Sequence, residues 1–112
     1  MKIKRGDIYW MNFNPHICSE QAWIRPALIV QNNIWNQYSN TVIVLAISSR
    51  LKDNPTNVLI LPTKINGLSS ASTVKVNQIF TVDKKRLGDR LWSLSLDDLS
   101  KVDWSLKVSL DI

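Results

Sequence analysis

Residues 41–47 read Thr-Val-Ile-Val-Leu-Ala-Ile, the most apolar and β-branched run in the chain. Branching at Cβ restricts χ1 and suits a pleated, packed surface, so this run predicts a central β-strand. It is too short for a core helix of ordinary length. Other short runs repeat the message. Residues 8–13 (IYWMNF) are aromatic and β-prone and end at Asn14-Pro15, a turn signal. Pro26 opens the run ALIVQ, at a strand's first position, where its missing N–H is tolerated. Residues 58–61 (VLIL) form a further strand stopped by Pro62, and residues 73–82 alternate apolar and polar as a half-exposed strand does. Residues 14–25, 32–40 and 50–57 lack a period and read as loops, and 67–72 reads as a turn. The period changes near the C-terminus. Ser95 suits a helix cap, Asp97 and Asp98 suit its positive end, and Leu96, Leu99, Val102, Leu106 and Leu110 recur at spacings of three and four. Five or six nearly consecutive strands followed by one helix predict a mainly β fold with a C-terminal α-helix: a small, largely antiparallel barrel with the helix packed on it.

At 112 residues, a single domain spanning 1–112 is expected. Fourteen basic against nine acidic residues give +5, which points towards a polyanionic partner or simply a soluble basic surface. Lys84-Lys85-Arg86 with Arg90 is the densest basic cluster, diluted by Asp83 and Asp89, so a basic site has to be assembled by folding. One cysteine, Cys18, excludes an internal disulfide framework. One histidine beside one cysteine excludes a zinc site of the Cys/His type. No apolar run reaches a membrane span and the start is no signal peptide, so a cytoplasmic protein without membrane partners is expected. Three scattered glycines make no phosphate loop, and Glu20 is the only glutamate. An enzyme built on this chain would work without a metal or cofactor. Asn12, Asn14, His16, Ser19, Glu20, Gln21 and Arg25 concentrate polar chemistry after the first strand, where a rigid scaffold usually presents function.

Several ordered blocks carry a family resemblance. Lys4-Arg5-Gly6-Asp7-Ile8-Tyr9-Trp10, Ser19-Glu20-Gln21 and Arg25-Pro26-Ala27-Leu28-Ile29-Val30-Gln31-Asn32 resemble the opening of MazF/PemK-type toxin endoribonucleases. Thr41-Val42-Ile43-Val44 with Ala46-Ile47-Ser48-Ser49, then Gln78-Ile79 with Thr81, Asp83 and Arg86-Leu87, resemble later strands of that family. The likeness covers about residues 4–106. It implies an SH3-like barrel, a homodimer, a cognate antitoxin that covers the site, and cleavage of single-stranded RNA (mRNA) at short sequences without a metal. The implied chemistry is attack of a ribose 2′-hydroxyl on the adjacent phosphate, leaving a 2′,3′-cyclic phosphate and a 5′-hydroxyl.

By resemblance, Arg25 matches the family's catalytic arginine. A guanidinium stays protonated, so stabilising charge is its easier task. Ser48 stands at a position usually threonine; its hydroxyl donates as threonine's does, but the missing methyl leaves it freer to rotate. Glu20 is a candidate base or a partner orienting Arg25. Asn14, Ser19, Gln21, Trp23, Gln78 and Phe80 are candidates for RNA binding. On its own, Arg25 reads as a surface ion-pair partner of Glu20 or Asp7, Ser48 as a strand-end hydroxyl, and His16 as a ribonuclease base by ordinary pKa or a plain loop residue. Trp10 reads as core or barrel rim, Trp92 and Trp104 as packing beside the helix, and Trp23 and Trp35 as base-stacking or interface residues. The helix stripe reads as core. The chain departs from the family at Cys18 (often glycine), Asn77 (often acidic) and Phe80 (often basic), which puts rate and cut sequence in question. A binding module on the same barrel and a gyrase-poisoning toxin are the competing readings.

Overall fold

The computed structural model describes residues 2–13, 24–51 and 54–112. Six strands form one antiparallel sheet: β1 (Asp7–Asn12), β2 (Ile24–Ile29), β3 (Thr41–Ser48), β4 (Val58–Ile60), β5 (Ser72–Asp83) and β6 (Leu87–Ser93). Their spatial order is β4-β5-β3-β2-β1-β6, so the predicted run 41–47 indeed lies inside the sheet. The sheet curls into an open barrel, with a short helix α1 (Asn33–Tyr38) between β2 and β3 and a longer helix α2 (Leu96–Leu110) at the end.

Side chains leave a strand alternately to its two faces. On one face, Ile8, Leu28, Leu45, Ile47, Val74 and Val76 form a dry core with Val102 of α2, and Leu99 and Leu106 pack against it. On the other, Tyr9, Met11, Ala27, Ile29, Val42 and Val44 form a second core, edged by Phe13, Phe80 and Val82. The inner parts of strands β1 to β3 are therefore buried on both sides, which is why residues 42–47 are apolar throughout. Burial, reinforced by Asp7 and opposed by Arg90, raises the Tyr9 phenol above its ordinary value of 10.0 and keeps it uncharged in this layer.

Helix α2 begins as expected: the Ser95 hydroxyl accepts the Asp98 N–H at 3.1 Å. Arg5 ties it to the sheet, donating from Nε to the Val30 carbonyl at 2.9 Å and from the guanidinium to Asp103 Oδ1 at 2.6 Å. The buried stripe is narrower than its spacing predicts. Val102 is buried and Leu99 and Leu106 are packed, but Leu96 and Leu110 at the helix ends are exposed.

Three further expectations are corrected, and the choice left open for Trp10 is settled. Strand β2 starts two residues before Pro26, which pairs only with Trp10 of β1; pairing with β3 begins at Ala27, so Pro26 disturbs no ladder on that side. Residues 32–40 are not irregular. Asn32 caps α1 by accepting the Trp35 N–H at 3.0 Å, and buried Asn36 exchanges hydrogen bonds with Gln31. Trp92 and Trp104 are not packed beside the helix but exposed, at 55% and 70%. Trp10 is a rim residue, 40% exposed.

The β4 and β6 edges meet through a loop: the Ser93 N–H donates to the Ile65 carbonyl at 3.0 Å. Gly67 in that loop has φ +68°, and a Cβ there would stand 2.6 Å from Trp92 Cδ1 and 3.3 Å from Leu91 Cβ. Both the left-handed backbone and the close approach require glycine. Gly67→Ala is expected to lower stability by about 1–3 kcal/mol, read as a reduced urea midpoint at unchanged slope.

Candidate active site

The site grows from the second face of the sheet. The β2–β3 register pairs Ile29 with Val44 and Ala27 with Ala46. Continued by two residues, it sets Arg25 opposite Ser48, just past the second core. The paired strands thus carry an apolar row that ends in a guanidinium and a hydroxyl. Arg25 is exposed, and its guanidinium donates to the Ile24 carbonyl at 2.9 Å. The alternative partner Asp7 is engaged elsewhere: Arg90 meets it at 3.3 Å. Ser48 Oγ accepts the Arg50 N–H at 3.1 Å. That bond uses an acceptor lone pair and leaves the Ser48 hydroxyl proton to be donated.

Arg25, Ile47, Ser48 and Lys75 line two adjoining hollows. One, of about 610 Å³, is walled by Arg50 and by Ser49, Ser69, Ser70 and Ser72. The other, of about 480 Å³, is walled by Phe13, Phe80 and Gln78. Phe13 and Phe80 meet edge to face with centroids 5.2 Å apart. No carboxylate lines either hollow among the described residues. Three cations with no carboxylate among the described lining residues favour an anion, and the neighbouring aromatic wall favours a flat apolar surface such as a base.

Of the residues singled out in the sequence, Arg25, Ser48, Gln78 and Phe80 are brought together. Asn14, Ser19, Glu20, Gln21 and Trp23, with His16 and Cys18, lie outside the described residues. Trp35 is exposed on α1 and lines neither hollow. Lys75, Arg50 and Phe13 were not singled out by sequence. Lys75 carries no distinguishing signal, because it takes an ordinary polar position in the alternating run Thr73-Val74-Lys75-Val76.

The chain matches the family described as the PemK-like, MazF-like toxin of type II toxin–antitoxin systems over residues 4–110. It is 40% identical over 112 residues to Endoribonuclease EndoA of Bacillus subtilis (strain 168), covering 98% of this chain and 96% of the relative. A crystal structure of MazF from Deinococcus radiodurans superposes with a TM-score of 0.81 at 26% identity, over 100% of this chain and 99% of that one. An endoribonuclease from mycobacterial species, solved in complex with its cognate antitoxin, shares the fold with a TM-score of 0.82 at 24% identity, over 98% and 96% of the two chains.

Proposed function

Because the chain belongs to the PemK/MazF-like toxin family of type II toxin–antitoxin systems, we propose that it is a toxin endoribonuclease that cleaves single-stranded mRNA at selected sequences. The observation that carries this reading is Arg25 and Ser48 at one hollow with no carboxylate among its described lining residues, beside an aromatic wall. A phosphodiester seated there meets a fixed positive charge and a free hydroxyl proton. The 2′-oxygen attacks phosphorus as its proton leaves, the O2′–P bond forms, the P–O5′ bond breaks, and the departing 5′-oxygen takes up a proton. Negative charge grows on the non-bridging oxygens, where Arg25 and Ser48 donate. Phe80 and Gln78, with Asn14, Ser19, Gln21 and Trp23 from the preceding segment, hold the neighbouring bases. Glu20 orients Arg25 or receives the 2′-proton. No metal takes part. The protein acts in the cytoplasm as a homodimer, and a cognate antitoxin silences it by covering this face; the relatives solved with antitoxins support that partner.

The test is incubation of the purified protein with a long, mostly unpaired RNA in excess EDTA, followed by mapping of the fragment ends. Discrete cuts with 5′-hydroxyl ends are expected. Intact RNA from folded, antitoxin-free protein would replace this reading with that of a binding module. Ser48 gives a graded check. Ser48→Ala is expected to slow cleavage about 10–100-fold, the loss of one hydrogen bond to a charged group. Ser48→Thr is expected to raise the rate a few-fold, because a β-branched hydroxyl holds fewer rotamers. Single-turnover rates on a cut-site oligonucleotide measure both.

A further inference from the structure

Resting on the endoribonuclease reading, we propose that Lys75 is a further phosphate-gripping residue of the site, delivered there by an irregularity in β5. The β3–β5 ladder pairs Val44 with Phe80 and Leu45 with Ile79, then jumps to Ala46 with Lys75. One step along β3 thus spans four along β5, from 79 to 75, and residues 76–78 have no β3 partner in the register. The irregularity matters because side chains alternate with period two.

Above the jump, Phe80 and Val82 lie on the second face, so an unbroken strand would continue that face with residues 78 and 76. Lys75 would then point into the first core. The odd-numbered slip reverses this. Val74 and Val76 enter the first core, and Lys75 faces the site opposite Ala46, two pairs from Ser48 and Thr73. Cross-strand partners share a face, so Lys75 stands on the row that carries Arg25 and Ser48.

Its surroundings suit an anion. Lys75 lines both hollows, the only cation besides Arg25 to do so among the described residues. It is half-buried, held by a strand whose flanking valines are fully buried. An ammonium placed this way is a point charge with three donors that can follow a phosphate through a change of geometry. Phe80 and Gln78, the other β5 residues lining the second hollow, bring no charge. Lys75 therefore supplies a second positive charge shared by both hollows, placed to stabilise charge on the non-bridging oxygens.

The experiment compares wild type, Lys75→Met, Lys75→Arg and Arg25→Ala in two assays. Cleavage of the long RNA is followed in EDTA, and binding to 2′-O-methyl oligonucleotides tiled along that RNA, which lack the attacking hydroxyl, is measured across salt concentrations. Lys75→Met keeps the length of the stem and is expected to lower kcat/KM about 10–100-fold, the loss of one charge-assisted contact. Its plot of log affinity against log salt is expected to flatten by about 0.7, one phosphate contact on a single strand. Lys75→Arg is expected to recover most of both. Wild-type rate and slope in Lys75→Met would overturn the proposal. So would a slow Lys75→Met with an unchanged slope and no recovery by arginine, because that pattern marks a merely structural residue. If wild type itself leaves RNA intact, the endoribonuclease reading fails, and the salt slopes still decide whether Lys75 grips phosphate.

Discussion

Arg25→Ala is expected to reduce RNA cleavage by about 10³-fold or more while leaving the fold in place. The size of the loss follows from the position of the charge. Arg25 stands at the exposed end of β2, past the last pair with β3, where the second core gives way to the two hollows. On the proposed reading, a guanidinium there would meet the phosphate before and during attack, and its interaction would strengthen as charge grows on the non-bridging oxygens. Only that increment accelerates the reaction. Arg25→Lys is expected to retain part of the activity, since it keeps the charge and loses the planar fork. The side chain is exposed and its hydrogen bond is to the neighbouring Ile24 carbonyl, so stability should change by less than about 0.5 kcal/mol. Fragment mapping and thermal unfolding on the same preparations separate the two effects. Full cleavage by Arg25→Ala would move the chemistry to another group.

Legibility in the sequence was uneven, for physical reasons. Run 41–47 announced itself because both of its faces are buried, and Ser95 announced α2 because a capping hydroxyl precedes two aspartates. Strand β6 had no comparable signal. It carries Gly88, Asp89 and Arg90, is exposed along much of its length, and exists through its pairing with β1. Helix α1 was hidden by asparagines, which favour turns in isolation but here act as cap and buried hydrogen-bond partners. Trp92 and Trp104 misled because aromatic residues beside a helix usually pack, whereas these are exposed. In the site, Arg25 and Ser48 were legible through their blocks, Phe80 and Gln78 through a late strand. Lys75 was not, since a simple alternation places it on the wrong face and only the three unpaired residues of β5 correct the phase.

The same alternation predicts the largest stability effect. Leu28→Ala is expected to destabilise the protein by about 2–5 kcal/mol, the range for deleting a fully buried leucine when its surroundings relax only in part. Leu28 is completely buried, pairs across the sheet with Ile8 on one side and Leu45 on the other, and lies in the core closed by Val102 of α2. All three neighbours are themselves fully buried, so little can move in to fill the space. In a chain of this size the midpoint of thermal unfolding should fall by about 10–20 °C. Leu59→Ala, on the exposed side of β4, is the matched control and should change stability by less than about 0.5 kcal/mol. Leu28 points to the first face, whereas Ala27 and Arg25 lead along the second to the site. Below its lowered midpoint, Leu28→Ala should therefore cleave RNA at close to the wild-type rate per folded molecule. A loss of rate in the folded state would show that the two faces of β2 are mechanically coupled, against the division of labour that the alternation implies.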